Sequence, residues 1–387
     1  MDPGAGEDQR LWRETARRFL EAEAPIGRTR GLIDDEQGYD RARYRRMADL
    51  GWMAPMAPEA TGGGSVSGRP FADLAVVAEE LGRTLTPTPV IEANLALLAL
   101  RLLGVPDAGP LMERLVSGRA SISLAVAGLG DSWNADGAGL QAEPTSDGAW
   151  RLEGSRSAVA FGHSVDLLLS SAQGPDGEVR LFLVPTDLPG LSTLRLESLD
   201  LTRPLARIDY HGVQVGPQDA LNSVPGHPPA FTAWLAAAVA LQAAESVGAL
   251  SRAMEVSVDY AQQRRAFGRV IGSFQAVKHR LADTALWLEW SRAASALAVQ
   301  AADEWLAGGS EQALLEAASV AKVVLGEFGP ALVRSAVQIH GGIGYTWEHD
   351  IHLYLRRVEA NAALLGTADF HRELLAQRIG FPQPVPG

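Results

Sequence analysis

From Ala230 to the C-terminus the chain carries no strand pattern: apolar positions recur at helical spacing through four long runs. These cover approximately 231–263, 274–307, 311–340 and 349–378. Alanine is abundant along them, which favours helix and allows close helix approach. A four-helix bundle is the arrangement that buries such runs, so this half of the chain constrains the fold most.

The rest has two other textures. Up to about residue 120 the pattern is again helical: Leu11, Trp12, Ala16, Phe19 and Leu20 recur between charged residues, and a second run spans 70–85. Gly62-Gly63-Gly64 between them reads as a connector, since no Lys-Ser/Thr follows it as a phosphate-binding loop requires. From Ser121 short alternating or apolar runs appear (SISLAV, AWRLEG, VDLLLSS, VRLFLV, LSTLRLES, ARIDYHGVQV), broken by Gly174-Pro175-Asp176-Gly177 and Pro189-Gly190. The expected fold is an α+β multidomain chain: an N-terminal α-helical domain over 1–120, a middle antiparallel β domain over 121–228 and a C-terminal four-helix bundle over 229–387.

Composition removes several function classes. Of 387 residues, 34 are Lys or Arg and 46 Asp or Glu, a net charge of -12. Such a chain lacks the global positive field that non-specific nucleic-acid binding or an anionic membrane surface needs. It has no cysteine, which removes disulfides, thiolate catalysis and Cys-ligated metal. The N-terminus is charged throughout with no apolar core, unlike a signal peptide. The longest apolar stretch, 230–244, is interrupted by Thr232 and Gln242, so no membrane span is expected. These features are compatible with a cytoplasmic protein.

Common catalytic sets are absent: there is no GxSxG, HExxH, GxGxxG after a strand or GxxxxGK[ST]. Glu348-His349-Asp350-Ile351-His352 clusters potential metal ligands, but it reads better as a helix start where acidic residues suit the dipole, and no metal is assigned. Two other segments carry more. One is Arg264-Arg265-Ala266-Phe267-Gly268 with Gly272-Ser273-Phe274-Gln275-Ala276; the other is Gln338-Ile339-His340-Gly341-Gly342-Ile343-Gly344-Tyr345-Thr346. A Gly-Gly-x-Gly turn between helices brings backbone close to a ligand and offers N–H groups to an anion. An arginine on a bundle helix suits bidentate phosphate recognition. Alone, each is equally a helix–helix turn or a solvated arginine; together in one helical half they are far more specific.

With these motifs the chain resembles the acyl-CoA dehydrogenase flavoprotein family across nearly its full length. RRAFG…GSFQAVKHRLAD is similar to that family's RxxFG…FQ…LAD segment, and QIHGGIGYT to its QxxGGxGY/F segment. LGWMAPMAPEATGGG and EELGRTLTPTP resemble its N-terminal helical domain. The resemblance implies FAD as cofactor, bound across a dimer interface. By direct match Arg264 would reach the pyrophosphate, Phe267 and Gln275 would line the cofactor, and Gln338, Gly341 and Gly342 would hold the adenosine diphosphate part. Thr367 falls on the family's EGT motif and is also expected at the cofactor. The implied reaction is α,β-dehydrogenation of an acyl thioester, acyl-CoA or carrier-bound, with electrons leaving through an electron-transfer flavoprotein.

The chain departs from that pattern where the chemistry sits. Leu364-Leu365-Gly366-Thr367 aligns with the EGT motif, so the position of the proton-abstracting carboxylate is Leu365. Some members carry the base on the first bundle helix; that position is Ala238, also without an acid. The nearest carboxylate on this helix is Glu245, seven residues on, hence two turns and ~10 Å further along the same face. Its neighbours are apolar, and burial would raise its pKa towards a useful base. Glu245 is therefore the candidate catalytic residue, the other reading being a structural acid paired with Arg252 or with an arginine of another helix. The middle domain departs too: where the family has TEPxxGSD-like and W-x-T/S strands against the flavin, this chain has Ala127, Ala158 and Ala160.

The half of a flavin site that a subunit provides for itself is thus eroded, while the half lent to a neighbour is intact. The family includes heterotetramers of unlike subunits in actinobacterial sterol side-chain degradation, and the chain resembles one of these. A homo- or hetero-oligomer, a dimer of dimers, is expected. Two alternatives stay open: a catalytically silent subunit that completes a partner's FAD site, and a flavin-fold enzyme recruited to another secondary-metabolic reaction.

Overall fold

The computed structural model describes residues 6–105, 108–126, 139–221 and 231–380. Six helices come first: α1 (Glu7–Glu23), α2 (Ile26–Gly31), α3 (Arg41–Asp49), α4 (Pro70–Thr84), α5 (Val90–Leu102) and α6 (Gly109–Val116). Amphipathic α1 buries Ala16 and Leu20 while Arg13 and Arg17 on its flank reach Glu79 and Glu80 of α4. Asp40 caps α3 by accepting from the Arg43 N–H at 3.0 Å. The cap of α4 comes from far along the chain: Asp303 accepts from the Phe71 and Ala72 N–H groups at 2.8 and 3.0 Å.

Among the described residues seven strands follow: β1 (Ile122–Ala125), β2 (Leu140–Pro144), β3 (Trp150–Ala160), β4 (Leu167–Gln173), β5 (Val179–Pro185), β6 (Leu191–Leu196) and β7 (Leu205–Val215). They form one sheet in the order β1-β4-β2-β3-β7-β6, with β5 on β4. Most pairs are antiparallel, as expected, but β1 runs parallel to β4, with Ile122 opposite Leu167, and β2 meets β4 in parallel at Gln141 and Gln173. These parallel neighbours are not consecutive in the chain, so no hairpin turn joins them and the local turn signals could not reveal them. In β3 the register slips between Arg156 and Val159, where Ala158 adopts φ 57°, a left-handed bulge.

The last part begins with α7 (Phe231–Gln263), then a two-stranded hairpin, β8 (Arg265–Ala266) and β9 (Arg269–Val270), and then α8 (Gln275–Leu306) and α9 (Glu311–His340). The fourth expected run is two helices, α10 (Ile351–Ala363) and α11 (Ala368–Arg378). Leu365 at φ 60° and Gly366 at φ 89° break it, and helix cannot continue through left-handed backbone. By length and composition α7 could cross a membrane, yet its apolar window is wholly buried inside the protein. It packs against α4, α8, α9 and α10, which explains its apolarity all round. Glycines permit the α4–α7 crossing: a Cβ at Gly82 would strike the Glu245 carbonyl oxygen, and one at Gly248 the Glu79 carbonyl oxygen.

Candidate functional site

The two motif segments meet at one end of the bundle. Arg264 follows the last turn of α7, its N–H donating to the Tyr260 carbonyl at 2.8 Å. Phe267, at the tip of the β8–β9 hairpin with φ 51°, is 96 % exposed, a large apolar side chain with almost nothing of this chain upon it. Arg269 covers Phe274 in a cation–π contact at 4.0 Å, which orders the chain into α8 and presents Gln275 at its surface. At the end of α9, Gly341 turns the chain at φ 64°, and neither Gly341 nor Gly342 has an atom near the place of a Cβ. Tyr260 stacks on His340 with centroids 4.5 Å apart, so the two segments are neighbours. Arg264, Phe267, Gln275, Gln338 and Gly342 are all exposed. A cavity of about 270 Å³ opens beyond this turn, lined by Arg334, Tyr345, Trp347, His352 and Arg356 among others.

This surface fits the anionic half of a dinucleotide cofactor: an accessible guanidinium, an unhindered glycine turn and an uncovered aromatic ring. The opposite half does not fit. Ala158 and Ala160 offer only methyl groups, with the Ala160 carbonyl accepting from Ser123. Ala127 lies outside the described residues. Thr367 Oγ1 is the N-cap of α11, accepting from the Phe370 N–H at 3.3 Å, a role compatible with its O–H donating elsewhere. Leu365, in the left-handed conformation and partly buried against the core, carries no group that could take a proton.

Glu245 lies in a charged seam where the sheet domain meets the bundle. Arg203, from the loop between β6 and β7, donates Nη2 to both of its carboxylate oxygens. Arg357 of α10 donates Nη1 to Glu245 at 2.6 Å, Nε to Asp200 and Nη2 to Thr202 at 2.7 Å. Asn361 links Arg203 Nη1 at 2.7 Å to Ser246 at 3.0 Å. The raised pKa expected for Glu245 is corrected here. Burial pushes its carboxyl up, but Arg203 and Arg357 outweigh burial and hold it below the usual carboxylate range. Arg252 is not its partner; that side chain reaches Glu255 at 3.3 Å. A carboxylate held ionised by two fixed guanidiniums has little affinity for a further proton.

Sequence reasoning missed two other groups. Glu92 of α5 has an oxygen, Oε2, buried without a partner among the described residues, and burial pushes its carboxyl up to about 7. Lys322 of α9 is buried and donates to the Gln242 side chain at 3.2 Å and to the Asn361 and Leu364 carbonyls at 2.7 and 2.5 Å. Burial brings its pKa down to about 7. It therefore clamps the end of α10 and the loop that leads to Leu365, whose carbonyl is held by His371 Nε2 at 2.9 Å. A lysine in an alanine-rich helical run looks like a solvated residue until its surroundings are known. At the other cluster, His349 Nδ1 caps the start of α10, accepting from the Ile351 N–H at 3.1 Å, and Asp350 pairs with Arg30 at 2.6 Å.

Comparison with known proteins agrees with this architecture. Residues 6–107 match the family model "Acyl-CoA dehydrogenase, N-terminal domain" and 231–380 match "Acyl-CoA dehydrogenase, C-terminal domain". The acyl-CoA dehydrogenase IpdE2 of Mycobacterium tuberculosis is 32 % identical over 360 residues, 93 % of each chain. The IpdE2 of Mycolicibacterium smegmatis is 34 % identical over 361 residues, 93 % of this chain and 95 % of its own. Among solved structures, a variant of the Tcur3481–Tcur3483 steroid ACAD superposes with a TM-score of 0.85 at 30 % identity, covering 97 % of this chain and 98 % of that one. The ChsE4–ChsE5 complex from Mycobacterium tuberculosis gives a TM-score of 0.86 at 25 % identity, covering 99 % and 100 %. Fold, motifs and relatives agree: the chain belongs to the acyl-CoA dehydrogenase family, oxidoreductases whose cofactor is FAD.

Proposed function

We propose that the chain is one subunit of a heteromeric, FAD-dependent acyl-CoA dehydrogenase working in the cytoplasm. It lends the phosphate-holding half of a flavin site to an unlike partner, which provides the catalytic carboxylate. One observation carries this reading: Phe267, beside Arg264, is 96 % exposed, while Leu365, at the family's base position, has no acid. Two of the similar solved structures bear paired names, Tcur3481–Tcur3483 and ChsE4–ChsE5, which supports an assembly of unlike chains in a dimer of dimers.

In this reading Arg264 neutralises pyrophosphate charge, Phe267 and Gln275 line the cofactor and keep water from it, and Gln338 with the Gly341–Gly342 backbone holds the adenosine diphosphate part. FAD supplies the acceptor for the β hydrogen of an acyl thioester, and an electron-transfer flavoprotein removes the electrons. Glu245 serves as the anchor of the seam between sheet and bundle rather than as the base. The test is co-expression with an acyl-CoA dehydrogenase-like chain encoded nearby, followed by counting FAD per chain in the purified protein. Fewer flavins than chains in a mixed assembly is expected. One FAD per chain in a pure homo-oligomer, bleached by acyl-CoA, overturns the proposal.

A further inference from the structure

His340 ends α9 and immediately precedes Gly341, yet it is only 3 % exposed. Its Nδ1 lies 2.8 Å from the Ala336 carbonyl, an acceptor, so the proton sits on Nδ1 and Nε2 keeps its lone pair. That Nε2 is buried and has no partner among the described residues. The ring is stacked on Tyr260 with centroids 4.5 Å apart at 26°, and the His349 ring lies 4.4 Å from it on a tilted plane. Tyr260 also meets His349 edge-on at 6.3 Å. The Gly turn wraps over the same residue: a Cβ at Gly344 would stand 3.1 Å from His340 Cβ. His349 has the complementary tautomer, its Nδ1 accepting from the Ile351 N–H, so its proton is on Nε2.

This three-ring stack is the physical link between the motif segments. Tyr260 accepts the Arg264 N–H through its carbonyl, and His340 is the residue on which Gly341 turns. We propose that His340 is a positioning residue: clamped between Tyr260 and His349, it sets the Arg264 segment and the Gly341–Gly342 turn in one register, and it does so only while Nε2 is unprotonated. The proposal rests on the cofactor half-site described above. A proton on Nε2 would place a charge with no acceptor among the described residues against a second imidazole. Burial lowers the proton affinity of His340, Ala336 opposes this, and His349 lowers it further. Burial lowers His349 as well, against the pull of Asp350, itself paired with Arg30 of α2. Further along α10, His352 is held low by burial and by the charges of Arg356 and Arg30, which disfavours a further positive charge there. Above the ordinary histidine pKa of about 6.5 the ring is neutral and the half-site intact; the half-site weakens only as pH falls through the depressed value below it.

The experiment titrates FAD, followed by flavin and tryptophan fluorescence, into the full-length protein in the assembly in which it purifies, from pH 7.5 to 5.5. The wild type, His340→Phe and His340→Leu are compared, and histidine tautomers are read by long-range proton–nitrogen NMR. Wild-type affinity should fall about tenfold across that range. His340→Phe, which keeps the stack without a titrating nitrogen, should show a flat profile. His340→Leu should bind several-fold more weakly at every pH. An acid loss unchanged in His340→Phe, or His340→Leu binding like wild type, overturns the proposal. If no variant binds FAD at pH 7.5, the half-site reading itself fails; an Nε2 proton on His340 in the NMR spectrum at pH 7.5 overturns the positioning role whether or not FAD binds.

Discussion

Arg357 Nη1 donates to Glu245 Oε1 at 2.6 Å, and neither residue is more than 4 % exposed. With Arg203 on the other side, the carboxylate compensates two buried guanidiniums whose remaining acidic neighbours are Asp200 and Glu92. Replacing Glu245 by Gln removes that compensation, and breaking a buried pair of this kind costs ~3–5 kcal/mol. Glu245→Gln should therefore lower the melting temperature by several degrees. The acid limb should also change. A carboxyl held below its ordinary value stabilises the fold above pH 4.5 and loses that contribution as pH falls below it. The variant should show a shallower acid limb; an unchanged melting temperature and limb would contradict the anchoring role.

Lys322 gives a slope of the same sign in a higher pH window. Its pKa falls from 10.5 to about 7, so between these values the unfolded chain binds a proton that the native chain does not. Stability from this group should rise with pH across that interval, by at most about 1.4 kcal/mol per pH unit. Urea unfolding of wild type and Lys322→Met at pH 7, 8 and 9 measures it. The variant should lose the upward slope.

The crossing of α4 and α7 depends on Gly248. Alanine is intrinsically better than glycine in a helix by ~1 kcal/mol, yet a Cβ here would collide with the Glu79 carbonyl. Gly248→Ala should destabilise by about 2 kcal/mol or more, because backbone on both sides must move. Gly27→Ala in α2, where nothing lies near the added carbon, is the control and should leave denaturation midpoints unchanged or slightly raised.

Phe267 separates folding from binding. Because the ring is almost fully exposed, Phe267→Ser should change the stability of the chain by less than ~0.5 kcal/mol. FAD retention and assembly should both decrease, read from flavin absorbance and from the elution volume in size-exclusion chromatography. Flavin content equal to wild type after gel filtration would remove Phe267 from the site.

Much of this was legible in the residues because the signals are local. Helical periodicity at Leu11 to Leu20 and the turn residues around Gly174–Gly177 need only their neighbours in sequence, and so does the Gly341-Gly342 turn. The break at Leu365–Gly366 was harder, since a leucine gives no warning of left-handed backbone. The parallel pairing of β1 with β4 joins Ile122 to Leu167 across another strand pair, and no short window holds both.

By itself the sequence determined the order of helices, sheet and bundle, the family, the Arg264 and Gly341 segments, and the absence of an acid at positions 365 and 238. These are statements about residue type and spacing, which do not depend on where distant segments meet. Tertiary structure decided the protonation of Glu245. An apolar helix face predicts a raised pKa, but Arg203 comes from a strand loop and Arg357 from another helix, and their charges act through space rather than along the chain. It also decided that Tyr260, His340 and His349 form one stack, a relationship among three residues that only the packing of α7 against the end of α9 brings together.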